Sequence, residues 1–333
     1  MLPPIVAGRT GRVAPVMHPV MHLALVAALL AAAAGTSAAQ SAQPTPVPGG
    51  LAPWTGLAVW LTLSLIALTA LWKLDAVRPG SLERANRRRD PIASTSVLPL
   101  LMLAFGVFLL PQLVGGAVLA PLSRAFGVDF DAGGLDAAGV AAGVIYGLGI
   151  AAGWIACYAV IRWKLMPRPS VEFRFRHAWV GLIALTLAYP AVALAGNIAR
   201  LLADSGSGSL QHGTLNALVE AGAANPWWWL VLAGAVLGAP IFEEVVFRGL
   251  LQPALAALIG RWPGLLITAA IFTFLHIPSG PGSSGATWLA IPTLAVLAIA
   301  LGIARERTGS LGVAITMHIG FNALNVGLAF AVT

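Results

Sequence analysis

The side chains with the clearest chemical potential lie inside apolar segments in the last third of the sequence. They are two glutamates, an arginine, two histidines and an asparagine: Glu243, Glu244, Arg248, His276, His318 and Asn322. A charged group at membrane depth costs at least ~2.5–3.5 kcal/mol, so such residues usually face a partner or a polar cavity and mark a function. A carboxylate and imidazoles in one site are typical of general acid–base chemistry.

The two adjacent glutamates are predicted to have different roles. Glu244 and Arg248 are four residues apart, so they share a helix face and are expected to form an ion pair. Glu243 is rotated by about 100° from Glu244 and does not compete for that arginine. This leaves Glu243 free to act as a base. The alternative is that all three residues form a structural ion-pair cluster.

The histidines and the asparagine complete a set that can hydrolyse a peptide bond. The carboxylate takes a proton from water, and a histidine such as His276 shares that water or protonates the leaving amine. His318 and Asn322 share a helix face, where they stabilise one oxyanion, bind one metal or contact one neighbouring helix. The sequence has no HExxH motif or nucleophile elbow, and Cys157 lies in a distant segment. Attack by water is therefore favoured over a covalent intermediate.

The elements that carry these residues belong to a membrane protein. Of 333 residues, 58% are hydrophobic and only 9% are charged, whereas soluble domains have roughly a quarter charged residues. This composition excludes an ordinary soluble enzyme, a disordered chain and a nucleic-acid-binding protein. Because membrane-spanning backbone must satisfy its own hydrogen bonds, the predicted fold is an all-α, polytopic helical bundle.

Four regions are expected along the chain. Residues 1–39 have the basic start, apolar run and small-residue site of a signal peptide, which is either cleaved or kept as an anchor. Residues 40–53 form a linker, residues 54–225 the N-terminal transmembrane helices, and residues 226–333 the catalytic core. The eight predicted spans cover 54–73, 97–120, 137–161, 178–199, 227–250, 263–277, 288–304 and 311–331.

Basic residues predict the orientation of these helices. They crowd the loops after the first, third, fifth and seventh spans, whereas the alternate loops carry mainly acidic residues. The basic loops are therefore cytoplasmic by the positive-inside rule, and the three tryptophans at 227–229 fit an interfacial belt on the outer side. With the signal-like segment, this pattern favours a multi-pass protein of the bacterial inner membrane.

Three short motifs resemble those of a known family. The sequence has EExxxR at 243–248, FxxxH at 272–276 and HxxxN at 318–322, in that order. The chain resembles the CAAX-protease and bacteriocin-processing (CPBP) family of intramembrane endopeptidases, the group of the type II CAAX prenyl endopeptidases. The resemblance covers roughly residues 226–330.

The resemblance implies a role for each matched residue. Glu243 is expected to be the catalytic glutamate, and His276 to help it position and activate water. His318 and Asn322 are expected to form the oxyanion hole, with the adjacent glutamate–arginine pair in support. Zinc remains an alternative because Glu243, His276 and His318 match a zinc-ligand inventory. These three residues lie on separate helices, and we expect catalysis without a cofactor.

The lengths of the predicted helices limit how His276 and His318 can meet. At 1.5 Å per residue, His276 lies ~20 Å from the cytoplasmic start of its span and His318 ~12 Å from its own. The imidazoles therefore meet only if helices tilt, bend or start at different depths, and Pro240, Pro253 and Pro292 offer places to bend. We expect a mid-membrane site that opens toward the cytoplasm.

The expected activity is endoproteolysis of a membrane-associated protein or peptide within the bilayer, with no nucleic-acid partner and an undefined oligomeric state. Buried glutamate, arginine and histidine are also typical of proton- or ion-coupled transporters. A third hypothesis is a non-catalytic scaffold or bacteriocin-immunity protein. Against transport, the first four spans lack such polar groups and no internal repeat is evident.

Overall fold

The structure, a computed structural model, describes the chain in several stretches. They are residues 52–86, 97–126, 153, 155–159, 163, 175–202, 226–277 and 290–332. The signal-like segment, residues 40–51 of the linker and most of the third predicted span lie outside the described residues, so these expectations stay predictions.

Helices account for nearly all of the described residues, and none of these residues forms a strand. In chain order the helices are α1 (Ala52–Lys73), α2 (Ser81–Asn86), α3 (Val97–Phe126), α4 (Phe175–Leu202), α5 (226–259), α6 (Arg261–Leu275), α7 (Ala290–Thr308) and α8 (Leu311–Val332). The predicted all-α class is confirmed.

Apolar helices of membrane-spanning length occur in both halves of the chain. Within the described stretches, the helices long and apolar enough to cross a bilayer are Trp54–Lys73, Arg176–Leu202 and Leu311–Leu328. Large apolar side chains, such as Phe105 and Phe274, lie exposed on the outer helix faces. Such a surface is unfavourable in water, and in a bilayer it contacts lipid. The chain is a multi-pass membrane protein.

Helices that precede residue 226 pack against the helices that follow it. Helix α4 packs against α1, α7 and α8, and α3 packs against the second half of α5. Gly181 permits the close crossing of α4 and α8, because a Cβ there would lie only 2.8 Å from Thr316 Cβ and from the Val313 carbonyl oxygen. The candidate catalytic region is therefore buried partly by helices outside it.

Helix α5 alternates between α-helical and π-helical turns. Its α-helical stretches are Pro226–Ala233, Ala239–Glu244 and Gln252–Ile259. The π-helical stretches Gly234–Gly238 and Val245–Leu251 lie between them. The two glutamates of the first motif therefore stand between two widened turns, which are frequent at functional sites.

Each π-helical stretch of α5 precedes a proline. Pro240 and Pro253 lie at the start of the α-helical stretches that follow. A proline inside a helix lacks an N–H, and its ring clashes with the carbonyl group four residues back; the extra residue of a π turn relieves this clash. Pro292 lies in the first turn of α7, where proline is tolerated. Two of the three predicted bend sites thus adjoin widened turns.

The predicted cytoplasmic loops meet at one end of the bundle, which we call the basic end. Arg261 Nη1 at the start of α6 lies 2.7 Å from Glu306 Oε2 near the end of α7. Arg307 Nη1 donates a 3.1 Å hydrogen bond to the carbonyl oxygen of Ser81 at the start of α2. The loops after the first, fifth and seventh predicted spans therefore lie on the same side, as the charge pattern requires.

A charged turn joins α1 to α2 at the basic end. Asp75 has a positive φ of 58°, which aspartate tolerates better than most residues. Arg84 Nε donates a 2.9 Å hydrogen bond to Asp75 Oδ2. The hydrogen bond from Arg84 holds the pKa of the Asp75 carboxyl below its ordinary value. This turn places α2 against the ends of α6 and α7.

Candidate active site

Glu243 is the carboxylate on which the predicted site converges. It lies in the short α-helical stretch between the two π-helical stretches of α5, and its side chain is 17% exposed. Its Oε1 lies 3.6 Å from His276 Nε2, and its Oε2 lies 3.8 Å from His318 Nε2. Side chains from α5, the end of α6 and α8 therefore meet around one carboxylate.

His276 is held by the backbone at the end of its own helix. It caps the C-terminus of α6, where its Nδ1 lies 2.7 Å from the carbonyl oxygen of Phe272. A carbonyl oxygen only accepts, so Nδ1 carries the proton. In the neutral form of the ring, Nε2 is then the nitrogen without a proton, and it faces Glu243.

His318 lies between the two glutamates of the first motif. Its Nδ1 is 2.9 Å from Glu244 Oε1, while its Nε2 faces Glu243. An ionised carboxylate only accepts, so Nδ1 donates to Glu244. Because adjacent residues on a helix point about 100° apart, one imidazole can contact both carboxylates through its two nitrogens.

Glu244 and Arg248 form the ion pair that their spacing predicted. Arg248 Nη1 donates to Glu244 Oε1 at 3.1 Å, and both side chains are fully buried. Arg248 Nη2 also donates to the carbonyl oxygen of Ala298 on α7 at 3.2 Å. A buried carboxylate without such partners would be strongly unfavourable. The arginine and His318 thus share Glu244 Oε1, which fixes the ring of His318.

Phe272 is the structural centre of the site, a role that the sequence did not reveal. Its ring lies 4.3 Å from the His276 ring, 5.9 Å from the His318 ring and 4.5 Å from the Arg248 guanidinium carbon. Phe247 packs against it edge to face. The motif spacing marked this phenylalanine, but only the assembled helices show that it contacts both imidazoles and the arginine.

Asn322 lies one turn beyond His318 on α8. It contacts the first π-helical stretch of α5 rather than the stretch that carries Glu243. Its Nδ2 donates a 2.9 Å hydrogen bond to the carbonyl oxygen of Ala235, inside the first π-helical stretch. A π turn shifts the backbone hydrogen-bonding register, which makes carbonyl groups available to side chains. The amide has a second N–H that this bond does not use. Asn322 is therefore next to the site, with one hydrogen used to anchor α5.

The carboxylate of Glu243 makes no hydrogen bond of ordinary length to either imidazole. The two distances from its oxygens, 3.6 Å and 3.8 Å, are longer than direct hydrogen bonds. A water molecule that lies beside these groups, rather than on the line between them, can contact both the carboxylate and an Nε2 atom.

The described residues do not reproduce a metal site. No group of three histidine, cysteine, aspartate or glutamate side chains within the described stretches has an arrangement that could hold a metal ion. Glu243, His276 and His318, the zinc ligands considered from the sequence, are not among such groups. Whether they bind zinc stays a prediction.

The comparison with known proteins places these residues in one family. Residues 225–324 match the family described as Rce1-like, type II CAAX prenyl endopeptidase Rce1-like. No curated protein and no solved structure matches the chain significantly. The matched range contains all three motifs. The family resemblance is thus confirmed for this part of the chain: residues 225–324 of this multi-pass membrane protein are similar to the Rce1-like type II CAAX prenyl endopeptidases.

Proposed function

We propose that the protein is an intramembrane endopeptidase in which Glu243 activates a water molecule to cleave a peptide bond. The observation that carries this proposal is the position of Glu243, with one oxygen toward His276 and the other toward His318. Both imidazoles have their Nδ1 atoms bound elsewhere. Their Nε2 atoms are thereby directed at the same carboxylate.

The first step forms the bond between water and the scissile carbonyl carbon. Glu243 takes one proton from water as general base, while His276 Nε2 accepts the other hydrogen and orients the molecule. The carbonyl oxygen becomes an oxyanion. His318 can donate to it from Nε2 only as an imidazolium, because its Nδ1–H is committed to Glu244. The free N–H of Asn322 is the second proposed donor.

The second step breaks the carbon–nitrogen bond. Glu243 passes the proton that it took from water to the departing amine nitrogen, and the oxyanion collapses to a carboxylic acid. The Glu244–Arg248 pair exchanges no proton in this scheme. It holds His318 in place and balances its charge, so both residues are positioning residues.

The proposed substrate is a membrane-associated protein or peptide, and the proposed location is the bacterial inner membrane. The apolar outer faces of the helices support a substrate that reaches the site within or beside the bilayer. The signal-like segment supports the location. A translocated or lipid-anchored precursor has the required chemistry, since it presents an extended segment next to an apolar anchor.

Replacing the proposed base tests the function directly. Glu243→Gln keeps the size and hydrogen bonding of the side chain but cannot take a proton, so cleavage should fall by at least about 100-fold. The measurement compares membrane peptides that accumulate uncleaved in cells with Glu243→Gln and with the exposed control Glu83→Gln. Purified proteins with equal thermal stability make the comparison valid. Unchanged cleavage by Glu243→Gln would reject the assigned base.

Metal removal tests the cofactor proposal. We propose catalysis without a metal, so dialysis of the purified protein against a strong chelator should leave the cleavage rate unchanged. The assay uses a peptide identified by the Glu243→Gln comparison, with a known zinc protease as the control for chelation. Loss of cleavage that returns on adding zinc would contradict this proposal and assign Glu243, His276 and His318 as ligands.

A further inference from the structure

We infer that helix α4, which lies outside the range that matches the family, holds α8 in the position at which His318 and Asn322 act, and that Gly181 of α4 is a positioning residue. This inference rests on the proposed function and adds to it a residue from outside the site. It follows from three features of the described residues: the face of α8 that α4 covers, the lack of space at Gly181, and the packing around α4.

The face of α8 that contacts α4 is opposite the face that carries the site. Gly181 lies against Val313 and Thr316 of α8. At 100° per residue, these two residues are about 160–220° round the helix from His318. The imidazole of His318 points the other way, and its Nδ1 contacts Glu244 of α5. A movement of α8 away from α4 is therefore a movement of His318 toward the glutamates of α5.

Gly181 leaves no space for a side chain between the two helices. An added Cβ would lie 2.8 Å from both Thr316 Cβ and the Val313 carbonyl oxygen, and 3.2 Å from the backbone nitrogen of Met317. Two carbon atoms in contact are normally about 3.5–4.0 Å apart. Two of the three neighbours are backbone atoms, which cannot rotate away as the end of a flexible side chain can. Even a methyl group at this position should therefore separate the helices by about 0.7 Å.

The packing of α4 opposes any movement of this helix away from α8. Helix α4 lies against α1 and α7 as well as α8, and the Trp60 ring of α1 meets the Tyr189 ring edge to face, with centroids 5.8 Å apart. At the start of α8, the Ser310 hydroxyl lies 3.0 Å from His177 Nδ1 of α4, and both side chains are buried. Movement of α4 would disrupt these contacts, so the extra distance at Gly181 passes to α8.

The reaction should respond to such a displacement in kcat rather than in KM. His318 and Asn322 are the proposed donors to the oxyanion, which exists only after water has attacked the carbonyl carbon. The loss of an interaction that is made only in the transition state lowers kcat and kcat/KM equally. Small misplacements of catalytic groups are costly. A change at Gly181 should therefore slow bond cleavage in molecules that fold and bind substrate normally.

Replacing glycines by alanine tests the inference in the full-length protein. Gly181→Ala should lower kcat by at least about tenfold and leave KM within about twofold of the wild-type value. The matched control is Gly327→Ala, the same change on α8 itself, where among the described residues no atom lies within 4 Å of the added Cβ. The assay uses a peptide identified by the Glu243→Gln comparison, with rates expressed per folded molecule. A wild-type kcat in Gly181→Ala would overturn the inference.

A second measurement needs no catalysis, so it separates this inference from the proposed function. The chain has six histidines, few enough for nitrogen-15 labelling of histidine to give resolved signals in nanodiscs, assigned with His318→Gln and His276→Gln. Gly181→Ala should shift the His318 signals, because the contact between His318 Nδ1 and Glu244 changes. The His276 signals should stay, because that ring is held by its own helix. Unchanged His318 signals would overturn the inference, whereas cleavage by Glu243→Gln decides the function separately.

Gly320→Val replaces Gly181→Ala if that variant does not fold. It adds a side chain to the same interface from α8, where a Cβ would lie 2.9 Å from Leu185 Cδ2 of α4. It should lower kcat in the same way, and Leu185→Ala in the same chain should restore most of the rate, because it removes the atom in contact. A wild-type kcat in Gly320→Val, or a loss that Leu185→Ala does not reverse, would overturn the inference.

Discussion

The orientation of the two histidines beside Glu243 depends on the groups that bind their Nδ1 atoms. A backbone carbonyl fixes the tautomer of His276, and the buried Glu244 fixes that of His318. Arg248 in turn holds Glu244 by donating to the same carboxylate oxygen. Both imidazoles therefore donate from Nδ1 and turn Nε2 toward Glu243. Their acceptors differ, a backbone carbonyl group for one and a carboxylate for the other, and this difference supports the different tasks that we propose for them.

Phe272 takes no part in the proposed reaction but should contribute strongly to the stability of the fold. Phe272→Ala removes a fully buried ring that contacts both imidazoles and Arg248, and should lower the free energy of unfolding by about 3–5 kcal/mol. The measurement is chemical denaturation in detergent micelles. Phe274→Ala is the matched control, because this residue lies two positions along the same helix with 71% of its surface exposed. Equal destabilisation by both changes would refute the central position of Phe272.

Helix α5 shows how a sequence feature shapes the active-site element. The widened turns precede Pro240 and Pro253, and they change which way the intervening residues point. Asn322 binds a carbonyl group in the first of them. A regular α-helix would offer neither that carbonyl group nor the same direction for Glu243.

Replacing Pro240 should lower the cleavage rate without lowering the thermal stability. Pro240→Ala restores an N–H and allows the preceding turn to tighten into an α-helix, which rotates the residues before it relative to Glu243. Cleavage should fall by at least about tenfold, since small misplacements of catalytic groups are costly, while thermal stability stays equal or rises. Pro292→Ala, in the first turn of α7, is the control and should retain activity. Full activity of Pro240→Ala would show that the π turn is dispensable.

The sequence predicted contacts best where the residues are close along the chain. The spacing of Glu244 and Arg248 predicted an ion pair that is present, and the predicted spans match the described helices to within a few residues for α1, α4, α6 and α8. Contacts between distant elements were not predicted from the sequence. Nothing in the spacing showed that Phe272 would join both imidazoles, or that Glu306 would be buried at a helix end.

Four helices from both halves of the chain meet at Glu306 on the basic end. Its carboxylate lies 2.9 Å from Asn86 Nδ2 on α2, 3.2 Å from Gln252 Nε2 on α5 and 2.7 Å from Arg261 Nη1 on α6. Helix α2 lies outside the range that matches the family, whereas the other three lie inside it. This carboxylate thus links the matched range to a helix outside it.

Loss of this junction should destabilise the whole bundle. Glu306→Ala leaves three donors without their carboxylate partner, two of them buried, and should lower the free energy of unfolding by about 2–4 kcal/mol. Denaturation in detergent measures this loss. Glu83→Ala, which removes an exposed carboxylate from α2, should change stability by less than about 0.5 kcal/mol. Because Glu306 lies at the end of the bundle away from Glu243, the folded fraction of Glu306→Ala should cleave at the wild-type rate. A reduced rate per folded molecule would mean that the basic end also controls the geometry of the site.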